Sequence, residues 1–201
     1  MRIVAGRHRG RAIVAPPDAS VRPTSDRVRE NLFNILTHGR LSAEASLLEG
    51  ATVLDAFAGS AALGLEALSR GAADAVFLDT DLAALECARR NVKALGEEPH
   101  SVLVQADASH PPTPAKVRGH PRARSLVFLD PPYKSGLAGA ALAALEAADW
   151  LAPGALAVVE LGRGEPFALP QGFTLADERH YGRTRILFLR RGTAASMRAA
   201  P

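Results

Sequence analysis

Residues 52–81 read TVLDAFAGSAALGLEALSRGAADAVFLDTD. Thr52–Ala56 is a short apolar run, and a loop containing Gly59 follows it. Leu63–Ser69 then has the composition of a helix ending near Gly71, and Ala75–Asp79 is a second apolar run. Neither run alternates apolar with polar residues. A strand of that kind is buried on both faces, which happens in parallel sheets covered by helices on either side. The segment is therefore one strand–helix–strand unit, and it predicts an α/β fold.

The same rhythm continues outward. Leu82, Leu85, Ala88, Val92 and Leu95 recur at spacings of three and four, which predicts an amphipathic helix closed by Gly96. Val102–Ala106 and Ser125–Asp130 are further strands, Leu137–Trp150 an Ala-rich helix, and Ala155–Leu161 a fifth strand. Phe173–Tyr181 and Thr184–Arg191 form a closing hairpin around Gly182, adding one antiparallel strand to a mostly parallel, Rossmann-like sheet. Ahead of the sheet lie a basic strand pair (Arg2–Ala5, Arg11–Ala15) and a helix over Ser25–Leu36. The expected division is an N-terminal extension at 1–50, a catalytic domain at 51–192 and a disordered tail at 193–201. Residues 109–124, rich in proline and basic residues, read as a loop.

Composition narrows the function. A single cysteine, Cys87, leaves no internal disulfide framework and fits a reducing cytoplasm. The opening MRIVAGRHRGR has no apolar secretory core, and no apolar run reaches the roughly 18 residues of a membrane span, so no membrane partner is expected. The six histidines lack metal-ligand spacing, so no metal site is expected. The net charge is +3, unevenly spread. Arginines crowd residues 2–29, a second cluster holds Lys116, Arg118, Arg122 and Arg124, and a third holds Arg179, Arg183, Arg185, Arg190 and Arg191. Such clusters suit a polyanionic partner, although Arg-rich composition alone also produces them.

The loop Asp55–Gly64 (DAFAGSAALG) ends the first strand and opens a helix, where ligands bind in such sheets. It lacks the G-x-G-x-x-G fingerprint and a P-loop lysine. Asp55 would repel a pyrophosphate but suits the cationic amino-acid end of S-adenosylmethionine. Asp79 closes the next strand, where an acid can accept ribose hydroxyls. Asp81, two residues on, reads as a helix N-cap. Asp107, after the third strand, is either an adenine contact or another cap. The candidate cofactor residues are Thr24, Asp55, Phe57, Gly59 and Ser60, with Gly64, Asp79, Thr80 and Asp107.

Asp130-Pro131-Pro132-Tyr133 ends the fourth strand and is the candidate catalytic motif. The prolines stiffen the turn and remove backbone donors. That leaves the Asp130 carboxylate and the Pro131 carbonyl to accept the two hydrogens of an exocyclic amine. Tyr133 offers a face to a base drawn out of its stack. Upstream, RPTSDRVRE (residues 22–30) has a cap at Thr24 or Ser25 and an apolar stripe of Val28, Leu32, Ile35 and Leu36. It reads equally as a structural lid helix or as part of the cofactor site. Arg7, Arg9 and Arg11, at alternate positions of a strand, should share one face and meet RNA phosphates, with Arg22 nearby.

Taken in order, MRIVAGRHRGR, RPTSDRVRENLFNIL, LDAFAGSAALGLEALSRGA, FLDTD, VFLDPPY and RHYGRTRILFL resemble the RsmD family of bacterial 16S rRNA guanine-N2 methyltransferases, over nearly the whole chain. The resemblance implies a class I S-adenosylmethionine-dependent methyltransferase. Its implied partner is 16S rRNA in the small ribosomal subunit or an assembly intermediate, its implied target guanine 966, and the enzyme is expected to be a monomer. Ala61 stands where the family usually has glycine, which puts an added methyl in the cofactor loop. A DNA adenine-N6 methyltransferase shares the DPPY motif but would need a long sequence-reading insertion, which this chain lacks. A non-catalytic RNA-binding assembly factor would not need DPPY intact.

Overall fold

The computed structural model describes residues 1–16, 26–38, 41, 46–117 and 122–193. Helix α1 (Asp26–His38) precedes a sheet of seven strands: β1 (Thr52–Ala56), β2 (Asp74–Asp79), β3 (Ser101–Gln105), β4 (Arg124–Leu129), β5 (Leu151–Gly162), β6 (Phe173–Tyr181) and β7 (Thr184–Arg191). Helices α2 (Ala62–Ser69), α3 (Leu82–Leu95) and α4 (Leu137–Ala147) connect the parallel strands. The spatial order is β3-β2-β1-β4-β5-β7-β6, with β7 antiparallel to both neighbours. This is the class I Rossmann-like methyltransferase sheet. The order reverses between β1 and β4, so a crevice opens beyond the carboxyl ends of those strands.

The apolar runs lack alternation because each strand feeds two cores. Val53 and Phe77 face one core with Leu32, Phe33 and Leu36 of α1, Leu65 and Leu68 of α2 and Val92 of α3. Leu54 and Val76 face the other with Leu142 and Leu145 of α4 and Trp150. Helix α1 is thereby part of the first core, with the Phe33 ring 5.6 Å from that of Phe128 on β4. No helix among the described residues is long and apolar enough to cross a membrane.

Several boundaries differ from the sequence reading. Helix α4 stops at Ala147, three residues before Trp150, because Asp149 adopts a left-handed conformation with φ 63°. Trp150 is fully buried, and its indole N–H donates to the Pro112 carbonyl at 2.7 Å. That bond pins the proline-rich loop to the sheet. Strand β5 begins four residues earlier than expected, at Leu151.

The N-terminal strand pair is reduced to one bridge, Arg2 to Ala12. Between them the chain turns through Gly6, whose Cα lies so close to the end of α2 that an added Cβ would sit 1.8 Å from the Ser69 carbonyl oxygen. Ser69, at the end of α2, is wrapped by this segment: its carbonyl accepts the Arg7 N–H at 2.8 Å, and its hydroxyl donates to the Ala5 carbonyl at 2.6 Å.

Many arginines that suggested a basic surface are bound internally. Arg122 and the buried Arg124 both pair with Asp74 at the start of β2. Arg185 pairs with Glu178, Arg191 with Glu146, and Arg190 donates to the carbonyls of Leu41 and Gly154.

Gly64 has a packing role. A Cβ there would lie 2.3 Å from the buried Phe77 ring, so only glycine lets α2 lie this close to β2. Gly64→Ala should cost about 1–3 kcal/mol in urea unfolding, the range for overpacking a core. Unchanged stability with lost ligand binding would instead assign the glycine to the ligand.

Candidate active site

Asp55, at the penultimate position of β1, is 1% exposed. Its Oδ2 accepts the Gly64 N–H at 2.9 Å, satisfying one of the free donors at the start of α2. No side chain at the N-cap position does this, because Ala61 occupies it in a left-handed conformation. Burial pushes the Asp55 carboxyl up to about 7, the Gly64 hydrogen bond pulls it down, and nearby Asp79 raises it further. Near neutrality the group is half ionised and is stabilised as an anion by any cation placed beside it.

The loop between Asp55 and α2 is braced from β2. The N–H groups of Phe57 and Ala58 both donate to the Leu78 carbonyl, at 3.0 and 2.9 Å. Asp79 Oδ2 accepts the Gly59 N–H at 2.8 Å, and its Oδ1 accepts the Asp81 N–H at 2.9 Å. Phe57 sits at φ 75°, an unfavourable conformation for a bulky residue that the braces on either side impose. The Ala61 methyl is buried in the core beneath the loop and does not reach the cavity.

A cavity of about 510 Å³ opens over these strand ends. Asp55, Phe57, Gly59, Ser60, Asp79, Thr80 and Asp107 line it, so it gathers seven of the nine expected cofactor residues. Gly64 stands behind the loop, against Phe77, and Thr24 lies outside the described residues. Asp81 also lines the cavity, and its side chain caps α3 by accepting the Ala83 N–H at 2.8 Å. Asp107 follows β3. It lines the cavity, and it accepts the Ser109 N–H at 2.7 Å. That bond, with His110 beside it, holds the carboxyl below its usual range.

Asp130 and Pro132 line the same cavity from the end of β4, with Leu137 beyond them. Pro131 is buried, and the Pro132 carbonyl accepts the Ser135 N–H at 3.2 Å. The Pro131 carbonyl has no hydrogen-bond partner among the described residues. Tyr133 is 42% exposed. Its hydroxyl donates to Glu160 Oε1 at 2.8 Å and lies 2.9 Å from Thr184 Oγ1. Burial, with Glu160 alongside, drives its ionisation far upward, so it stays a neutral phenol. The Tyr133 Cβ and Cγ lie beside Gly162.

Two residues in this arrangement were not anticipated. Glu160 is a lone acid inside ALAVVEL, and a charge in a buried strand signals a partner. Arg29 of α1 lines the cavity although it is 1% exposed.

The N-terminal arginines, by contrast, do not share a strand face. Arg7 lies in the turn and pairs with Glu97, beyond the end of α3, at 2.5 Å. Arg11 donates to the Ala94 carbonyl at 2.5 Å, while Arg9 is exposed. Helix α3 starts at the carboxyl edge of the sheet and ends at the amino edge, so Arg7 and Arg11 lie about 20 Å, a helix length, from the cavity's end of the molecule. Arg22 lies outside the described residues. Among the described residues, no cluster of three or more His, Cys, Asp or Glu side chains could hold a metal.

The arrangement suits a ligand that brings a positive charge to Asp55 and hydrogen-bond donors to Asp79 and Asp107. It disfavours a pyrophosphate. Asp55 also predicts a pH signature. Its folded value is raised above 3.8, so the unfolded chain loses the proton first and this group's contribution to stability declines as pH rises from about 4 to about 7. Asn keeps the oxygen that accepts from Gly64. The stability difference, parent minus Asp55→Asn, should therefore fall across that window by up to about 1.4 kcal/mol per pH unit in the free protein. Parallel pH curves would show that the carboxyl is not perturbed.

Comparison with known proteins agrees with this architecture. The family model Conserved hypothetical protein 95 matches residues 1–190. The chain is 35% identical over 184 residues to ribosomal RNA small subunit methyltransferase D of Haemophilus influenzae, covering 90% of this chain and 89% of that one. The solved structure of yhhF from Escherichia coli aligns with a TM-score of 0.77 at 33% identity, covering 96% and 98% of the two chains. An RNA methyltransferase from Salinibacter ruber, solved with S-adenosyl-L-homocysteine, shares the fold at a TM-score of 0.60 and 15% identity, over 85% and 94%. Matched by the family model over nearly its whole length, the chain belongs to the RsmD family of methyltransferases.

Proposed function

We propose that this protein uses S-adenosylmethionine to methylate the exocyclic N2 of a guanine in 16S rRNA, guanine 966, in the small ribosomal subunit or its precursor. It does so in the cytoplasm and as a monomer. One observation carries the reading: a single cavity lined by acids from the ends of β1, β2 and β3 runs on to the DPPY turn at the end of β4. S-adenosylmethionine, when bound, supplies a methyl group on a positively charged sulfur. Asp55 accepts from the ammonium of its amino-acid end, Asp79 from the ribose hydroxyls and Asp107 from the adenine amine.

The chemistry at the other end falls to the turn. An exocyclic amine is a poor nucleophile because its lone pair is delocalised into the ring. Asp130 and the Pro131 carbonyl accept its two hydrogens, favouring a pyramidal nitrogen whose lone pair faces the methyl. The Asp130 carboxylate would stabilise the positive charge that develops on the nitrogen as the sulfur–methyl bond breaks, its electron pair staying on sulfur, and would take the leaving proton. The help is positional and electrostatic. Tyr133, its hydroxyl tied to Glu160 and Thr184, presents a fixed ring to the extracted base.

RNA as the substrate is supported by the surface around this turn. Lys134 follows Tyr133, Arg163 follows β5, and Arg183 sits in the β6–β7 turn with its carbonyl accepting the Arg163 N–H at 2.7 Å. All three are exposed, and no ion pair engages their side chains among the described residues. Cations so placed suit the phosphates flanking an extracted base.

Methyl transfer from labelled cofactor should favour small subunits or their RNA over duplex DNA. DNA as the better acceptor would favour an adenine-N6 enzyme. Asp130→Ala should keep cofactor affinity and lose roughly 100-fold or more in rate, as when one transition-state contact is removed. Near-normal turnover by the folded variant contradicts the assigned role. Replacing Lys134, Arg163 and Arg183 by Ala should lower the slope of log RNA affinity against log salt by about 2–3, at roughly 0.7–0.9 per phosphate contact. Replacing Arg7, Arg9 and Arg11 should change it less. The reverse ranking would return the docking surface to the N-terminal turn.

A further inference from the structure

Arg29 projects from the same face of α1 as Leu32, Phe33 and Leu36, a stripe otherwise given to the core. A buried guanidinium is costly unless its donors and its charge are met. One nitrogen, Nη2, donates to the Arg2 carbonyl and to Asp26 at 2.8 Å. Nε and Nη1 are buried without a hydrogen-bond partner.

The nearest buried acid does not meet that need. Glu66 lies 3.8 Å from Arg29 Nε, beyond hydrogen-bond distance. Its carboxylate already accepts the Val4 N–H at 2.7 Å, the Ala5 N–H at 3.0 Å and Arg70 Nε at 2.7 Å. Asp26 is shared with Arg2 and is partly exposed. Three guanidiniums, Arg2, Arg29 and Arg70, thus share two carboxylates, Asp26 and Glu66. Arg2 is largely solvated, while Arg29 is buried at the cavity wall with Nε and Nη1 lacking hydrogen-bond acceptors.

We propose that Arg29 binds the carboxylate of the cofactor's amino-acid end, while Asp55 receives the ammonium. This rests on the S-adenosylmethionine reading given above. A free amino-acid end is a zwitterion, and the same cavity carries one buried acid and one buried base to meet its two charges. Nη1, whose N–H groups are unengaged, can donate a charge-assisted hydrogen bond to a carboxylate oxygen. The buried arginine in the stripe of α1 then makes the N-terminal segment part of the binding site, with the cost of burial recovered when the ligand arrives.

Calorimetry with two ligands separates this role from a structural one. S-adenosylhomocysteine carries the carboxylate. Its decarboxylated analogue keeps the adenosine, the sulfur and the amine. The unmodified protein should bind the first about 10- to 100-fold more tightly, the range for a charge-assisted hydrogen bond. In Arg29→Met that preference should shrink to within about twofold, while the decarboxylated analogue binds nearly as before. Arg29→Lys, which keeps the charge, should retain part of it and serves where the Met variant fails to fold. Equal affinities in the unmodified protein overturn the proposal, and so does a full preference that survives in either folded variant. Binding of neither ligand would instead overturn the cofactor reading itself.

Discussion

The hydrogen bond from the Gly64 N–H to the buried Asp55 carboxylate joins the end of the central strand to the start of the first crossover helix. It acts on packing and on chemistry together. It ties α2 to the end of β1, and Gly64 then lies so near Phe77 that no side chain fits between them. It also holds a carboxyl in a place where burial resists its ionisation. The loop between the two partners has little freedom left, because Leu78 and Asp79 take three of its N–H groups from the neighbouring strand. The left-handed Phe57 and Ala61 are held by this framework. Strain of this sort persists where surrounding contacts over-determine the backbone.

The other half of the site depends on a different part of the sheet. The DPPY turn follows β4, but the Tyr133 hydroxyl is secured by Glu160 of β5 and Thr184 of β7. The antiparallel hairpin that closes the sheet therefore orients the face offered to the base. The two halves meet in one cavity because β1 and β4 are neighbours at the point where strand order reverses. Helix α1 spans them from outside the sheet, with Phe33 packed against Phe128 of β4 and Arg29 at the cavity wall.

The fold was legible because its strands are buried on both faces and therefore read as unbroken apolar runs. The acids at the ends of β1, β2 and β3 were legible because their position in such a sheet carries meaning before their contacts are known. What escaped depends on contacts between distant segments. Helix α4 stops where Asp149 turns left-handed, which Ala-rich composition does not announce. The arginine clusters looked like one basic surface, yet Arg122, Arg124, Arg190 and Arg191 are tied to internal acids and carbonyls. Alternation in RHRGR suggested a strand, but Gly6 and Gly10 bend it into a turn around the end of α2. Ala61 looked like a perturbation of the ligand, whereas its methyl belongs to the core. Arg29 was hidden in a segment whose apolar stripe alone accounted for its helix.

The site turns on Asp55, a buried carboxyl that a neighbouring cation would stabilise as an anion. Titration of its carboxyl carbon by NMR, with and without S-adenosylhomocysteine, tests this directly. A midpoint near 7 is expected in the free protein, moving down toward the ordinary carboxylate range when the ligand's ammonium arrives. A midpoint near the ordinary 3.8 in the free protein, or one that the ligand does not move, would contradict it.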